Sequence, residues 1–161
     1  MFIHKQIVTI PAPPEKVFNY LTTPAHFPLW LKDIWIAGRT FGKMGLGCRM
    51  VQTIRIVKPR KFTMHVTGFV PNRYLKIEAL KGFVALPCFS FSLKPLRNGQ
   101  TELTVYVALK GKIEVNGVIH PKTFFPFYPL GVAGYWKIYL QLLEKAITKE
   151  PGKGKTKRMA A

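Results

Sequence analysis

The sequence predicts a single α+β domain: an antiparallel sheet of six to seven strands, two short helices after the first strand, and a long C-terminal helix. Three observations carry this prediction. An apolar, β-branched opening stops at Pro11 and gives way to helical spacing, apolar residues then recur at every second position from residue 34 onward, and residues 130–148 return to a helical period. A chain of 161 residues suits one domain, which buries roughly two thirds of the surface its unfolded form exposes.

Residues 2–10 are rich in Ile, Val and Phe and end at Pro11, which cannot continue a ladder of strand hydrogen bonds. Helix 13–21 follows, with proline tolerated in its first turn and Glu15 complementing the positive end of the helix dipole. Val17, Phe18 and Leu21 give it an apolar stripe. Pro24 restarts the chain into a second short helix at 25–31, bearing Phe27, Leu29 and Trp30. Breaks between Gly38 and Gly47, at 58–60, at 71–72, at 81–82 and at 97–99 then leave room for five or six strands. Short connections make these an antiparallel meander, because parallel pairs need long crossovers. After the last strand, near Val115, comes an aromatic, proline-broken loop that His120 opens. In the final helix Trp136, Tyr139, Leu140, Leu143 and Ile147 share one face, opposite Lys137, Gln141, Glu144 and Lys145. Residues 149–161 carry Lys149, Lys153, Lys155, Lys157 and Arg158 with little that is apolar, the composition of a disordered basic tail behind a domain spanning 1–148.

The apolar fraction of 48% coexists with a formal charge of +18, so the chain must hide much apolar surface while its cations repel one another. Such a charge draws a protein toward anionic surfaces without choosing among them. Cys48 and Cys88 lack metal-ligand spacing and read as reduced thiols of a cytoplasmic protein. The opening residues lack the continuous apolar run of a signal peptide, and the uncharged stretch 123–136 falls short of the roughly 20 residues that span a bilayer.

The order of elements, with the opening Ile10-Pro11-Ala12-Pro13-Pro14-Glu15-Lys16-Val17-Phe18, then Leu21 and the Pro24, Phe27, Trp30 run, resembles the superfamily of START lipid-transfer domains, polyketide cyclases and pathogenesis-related ligand carriers. The resemblance covers residues 1 to about 148. It implies the helix-grip fold, a curved antiparallel sheet wrapped around the C-terminal helix, and an apolar cavity between the two. It says little about chemistry, since such folds host carriers and enzymes alike.

Strand alternation assigns the faces. Cys48, Met50, Gln52, Ile54 and Ile56 share one face; Phe62, Met64 and Val66, then Leu75, Ile77 and Ala79, continue it, followed by Phe89, Phe91 and Leu93, and by Leu103, Val105, Val107 and Leu109. His65 and Glu78 point the other way. The expected ligand-binding set is Trp30, Met50, Gln52, Ile54, Met64, Val66, Ile77, Phe89, Phe91, Val105 and Val107 from the sheet side, with Tyr135, Trp136, Tyr139, Leu140 and Leu143 from the helix. The same faces would also serve a solid core, and the resemblance decides for a cavity. Its polar members are Gln52, the weakly polar Cys48 and the hydroxyls of Tyr135 or Tyr139, which suits an aliphatic or aromatic ligand with one or two polar handles.

Enzymatic chemistry has little to work with. Of seven acids, Glu78, Glu102 and Glu114 fall on outer faces, Glu15, Glu144 and Glu150 on helix or tail surface, and Asp33 in a loop near the pocket rim. No two carboxylates are placed to share acid and base roles, and no histidine has a companion at metal-ligand spacing, so neither a metal nor a cofactor is expected. The Gly42, Gly45, Gly47 cluster reads as a flexible hairpin loop over the pocket mouth. The favoured function is a carrier or sensor of a lipid, isoprenoid, quinone or polyketide. The alternative is a polyketide cyclase that folds its substrate by shape, with Gln52, Arg55, Tyr135 or Tyr139 orienting it and Asp33 or His26 as acid or base.

Phe124, Phe125, Phe127 and Tyr128 lie in the loop before the last helix and form a lid or, if exposed, a patch that inserts at an anionic membrane surface beside the basic tail. That gives a cytoplasmic protein with peripheral membrane contact. Nucleic acid is the disfavoured partner, because no recognition motif accompanies the cations and they are scattered over every strand.

Overall fold

Pro11 ends the first strand as expected in the computed structural model, which describes residues 2–31, 35–41, 43–55, 59–81, 86–110, 113–115, 118–120 and 128–149. Strand β1 (Phe2–Ile10) leads into helix α1 (Pro14–Thr22), which has proline at its start and Glu15 in its first turn. A 3-10 turn, Pro24–His26, runs straight into the short helix α2 (Phe27–Trp30). Six strands follow: β2 (Trp35–Phe41), β3 (Arg49–Arg55), β4 (Pro59–Val70), β5 (Tyr74–Lys81), β6 (Leu86–Pro95) and β7 (Thr101–Lys110). A small hairpin, β8 (Ile113–Val115) and β9 (Val118–His120), precedes the long helix α3 (Tyr128–Lys149).

The seven main strands form one antiparallel sheet in the order β1-β7-β6-β5-β4-β3-β2. Each strand from β2 to β7 pairs with its sequence neighbour, as the short connections require, and β1 closes the far side against β7. The sheet curves, and α3 lies against β1, α1 and α2. This is the helix-grip architecture.

Several boundaries differ from the sequence reading. Gly38 belongs to β2, an edge strand that tolerates a residue without a side chain, and there pairs with Gln52. Pro59 opens β4, a strand position where a missing N–H costs little. His120 does not open a loop but ends β9, opposite Ile113. Helix α3 begins at Tyr128, so Pro129 sits in its first turn, where its lack of an N–H is harmless. The tail after Lys149 and the aromatic residues Phe124, Phe125 and Phe127 lie outside the described residues, as does Asp33.

Period-two alternation holds on β3 to β7, with one inversion. The β4–β5 register shifts between Val66 and Gly68, so beyond the shift Phe69 turns toward the core while Val70 is left 47% exposed. Phe69 meets Phe18 of α1 edge to face, with ring centroids 5.3 Å apart. Only glycine fits at the shift: a Cβ on Gly68 would lie 2.6 Å from Cε1 of Tyr74 and 3.0 Å from Cβ of Lys76. The β6–β7 turn places Asn98 and Gly99 at φ of 67° and 71°, residues suited to the left-handed region.

The core lies between the concave face and the helices. Ile10, Val17, Phe62, Leu75, Leu103 and Leu143 are all completely enclosed, each contributing about 1.5–3 kcal/mol by leaving water. Thr101, fully buried, donates its hydroxyl to the Ala12 carbonyl at 2.7 Å and ties the start of β7 to the exit of β1.

Candidate functional site

The concave face is built as alternation predicts. Met50, Met64, Val66, Ile77, Phe91, Val105 and Val107 all point into the grip and are buried. Phe89 is half-buried and packs against the same cluster. Opposite them, Trp136, Tyr139, Leu140 and Leu143 form the buried face of α3, while Lys137, Gln141 and Lys145 are exposed. The aromatic side of α3 reaches the sheet directly: the Trp136 ring lies 5.7 Å from Phe89 and 6.2 Å from Phe91, and Tyr139 meets it edge to face at 5.9 Å. These four residues make a continuous aromatic wedge between helix and β6. Ile54 and Tyr135 belong to β3 and α3, but their side chains lie outside the described residues, as does that of Tyr128.

Polar groups are sparse on this surface. Gln52 occupies the expected inward position on β3 but is only half-buried, and among the described residues its amide reaches no better partner than Met50 Sδ, at 3.7 Å. Trp30 is 98% enclosed, being 2% exposed, and its indole N–H has no hydrogen-bond partner among the described residues. His26 Nδ1 shares that condition. These two are the only buried side-chain polar atoms without a partner among the described residues, and both belong to the segment that joins the Pro24–His26 turn to α2. The His26 ring stacks on Tyr20 with centroids 4.1 Å apart.

Sequence reasoning passed over Tyr20, Phe69 and the unpaired state of the Trp30 nitrogen. Tyr20 is 1% exposed and donates its hydroxyl to the Ala146 carbonyl at 3.3 Å, joining α1 to α3. Its signal was present, since Tyr20 stands three residues after Val17 on the same helical face. Phe69 had none, because a bulge leaves no mark on alternation until the register is known.

On the outer face, Glu78 pairs with Lys76 at 3.4 Å and accepts a long contact of 3.6 Å from the buried Cys88 thiol, in keeping with its outward assignment. His65 also faces outward and donates Nε2–H to the Gly47 carbonyl at 3.0 Å. Gly47 in turn donates its N–H to the Val66 carbonyl at 2.9 Å, so the glycine hairpin is tied to β4 at its C-terminal end, leaving Leu46 71% exposed. No three His, Cys, Asp or Glu side chains gather at metal-ligand distance among the described residues, and no helix there is long and apolar enough to cross a membrane.

This arrangement defines a class. No protein-family model matches the chain and no curated protein matches it by sequence, but solved structures do. An aromatase/cyclase from Streptomyces sp. R1128 superimposes with a TM-score of 0.75 at 11% identity, covering 91% of this chain and 93% of its own. A START superfamily protein from Mycobacterium smegmatis gives 0.71 at 15% identity, covering 91% and 97%. Truncated norcoclaurine synthase from Thalictrum flavum gives 0.67 at 12% identity, covering 93% and 95%. The chain therefore has the START-like helix-grip fold over nearly its whole length.

Proposed function

We propose that this domain holds one molecule of a hydrophobic compound, a lipid, isoprenoid, quinone or polyketide, between the concave sheet and α3, and that it acts as a carrier or sensor. The observation behind this reading is the chemistry of the facing surfaces. Sheet and helix present Met50, Met64, Val66, Tyr139 and Leu140 to one buried cluster that also holds Trp30, and its polar atoms among the described residues are few, the Tyr139 hydroxyl, the Trp30 indole nitrogen and the half-buried Gln52 amide being among them. A surface of that kind rewards an apolar ligand with one or two polar points. The ligand lies to the α2 side of the aromatic wedge, since Trp136 already spans the gap to β6. The binding unit is residues 1–148, and the basic tail with the aromatic segment 124–128 adds contact with anionic membrane to this reading, because the chain carries +18.

A cyclase is the second reading, favoured by the likeness to the aromatase/cyclase. It would rest on Tyr139, buried in the core cluster, and on His26, whose ring stacks on the buried Tyr20. The test is native mass spectrometry of the protein incubated with organic cell extract, together with a fluorescence titration with N-phenyl-1-naphthylamine. One co-purifying apolar mass and saturable probe binding displaced by that compound support the carrier. Turnover of a poly-ketone substrate supports the cyclase, and absence of any saturable apolar binding overturns both.

A further inference from the structure

A buried indole N–H is a group that folded proteins satisfy, because leaving it dry forfeits the hydrogen bond it had with water. The described residues contain two buried polar side-chain atoms without partners, Trp30 Nε1 and His26 Nδ1, and they stand four residues apart on one segment. Residues at that spacing on a helical path share a face. Both atoms fall within the seven residues 24–30, which makes this segment the place where buried polar groups await a partner. The segment packs on α3 and on β2, and Trp30 belongs to the same buried cluster as Met50, Met64 and Trp136. Both rings are also held: His26 is stacked on Tyr20, whose hydroxyl is anchored on Ala146, and Trp30 is braced edge to face by Phe27 at 6.3 Å.

We propose that Trp30 Nε1–H is the anchoring donor of the ligand site and that it selects apolar ligands bearing an oxygen acceptor, such as a ketone or quinone carbonyl, with His26 Nδ1 contacting the same polar end. This rests on the reading of the grip as a ligand site and adds which ligands it takes. An aliphatic hydrocarbon would bury the donor unpaired, whereas a carbonyl satisfies it; a site that hydrogen-bonds its ligand rejects the analogue that lacks the partner.

The experiment compares two isosteres, 2-acetylnaphthalene and 2-isopropenylnaphthalene, which differ in C=O against C=CH2. The full chain, labelled with ¹⁵N at its three tryptophans, gives three indole N–H signals, and Trp35→Phe and Trp136→Phe identify that of Trp30 by exclusion. The ketone should move the Trp30 signal and bind about tenfold more tightly than the alkene, and Trp30→Phe should erase that preference while still binding the alkene. Equal affinity for the two isosteres, or ketone binding that leaves the Trp30 signal in place, overturns the anchor and leaves the apolar site standing. A Trp30 signal unmoved by either bound probe assigns the donor to ordered water and also overturns it. Saturation by neither probe overturns the ligand site itself, and the anchor with it. The unmutated protein carries the spectral test, so it survives if Trp30→Phe fails to fold.

Discussion

Replacing Trp136 with alanine tests whether the aromatic wedge holds helix and sheet together. Trp136 is 6% exposed and touches Phe89, Phe91 and Tyr139, so truncation removes an enclosed side chain and three ring contacts at once. Losses of this kind cost about 3–5 kcal/mol, of which the ring geometry supplies about 0.5–1.5 kcal/mol per pair. Against a native stability of about 5–15 kcal/mol, the variant should fold but sit close to its limit. With a urea slope of about 2 kcal/mol per molar, the unfolding midpoint should fall by about 2 M with the slope unchanged. The void left behind is apolar, and such voids take up apolar guests. N-phenyl-1-naphthylamine at one hundred times its dissociation constant should then restore about 2.7 kcal/mol. A midpoint within about 0.5 M of the parent would show that the ring is not packed between the two layers, and the reasoning would fail.

Further outcomes follow from other contacts. Gly68→Ala puts a Cβ 2.6 Å from the Tyr74 ring, so it should destabilise by about 1–3 kcal/mol in urea unfolding; pairing it with Tyr74→Ala should recover part of that loss. Thr101→Val leaves the Ala12 carbonyl without its buried donor and should lower stability by about 1–3 kcal/mol, a figure that a change under about 0.3 kcal/mol would contradict. Met64→Lys buries a charge at a fully enclosed position, and a folded variant with undiminished N-phenyl-1-naphthylamine affinity would remove Met64 from the ligand surface. In vesicle co-sedimentation, Phe125→Ser/Phe127→Ser should lose the salt-resistant part of binding and a truncation after Thr148 the salt-sensitive part; equal binding by all variants would sink the membrane contact.

The inward faces of the strands were legible because a side chain's side of the sheet depends only on parity, and one buried face makes parity visible as alternating polarity. Met50, Phe62, Met64, Val66, Leu75 and Ile77 were placed correctly on that ground alone. The buried face of α3 was legible for the same reason at a helical period. Parity cannot reveal a place where it changes, which is why Phe69 was missed until the shift at Gly68 was seen. Nor does it report hydrogen bonding. Trp30 was recognised as an apolar ring, but the unpaired state of its nitrogen depends on what surrounds it in three dimensions. Proline read as a breaker at positions 59 and 129, whereas in both places it occupies the first residues of an element, where it is compatible.

The pairing of β1 with β7 has a consequence for how the chain reaches this state. Ile10 lies opposite Thr101 and Phe2 opposite Leu109, so the first strand must wait for a partner that leaves the ribosome about a hundred residues later. The meander from β2 to β7 can assemble through local hairpins in the meantime, while β1 and the two helices after it stay without their docking surface. Closing so long a loop before its contacts reward it makes folding slow, with relaxation in milliseconds to seconds. The N-terminal strand is therefore captured only once β7 is available, and during synthesis its Ile- and Val-rich edge stays without that partner until then.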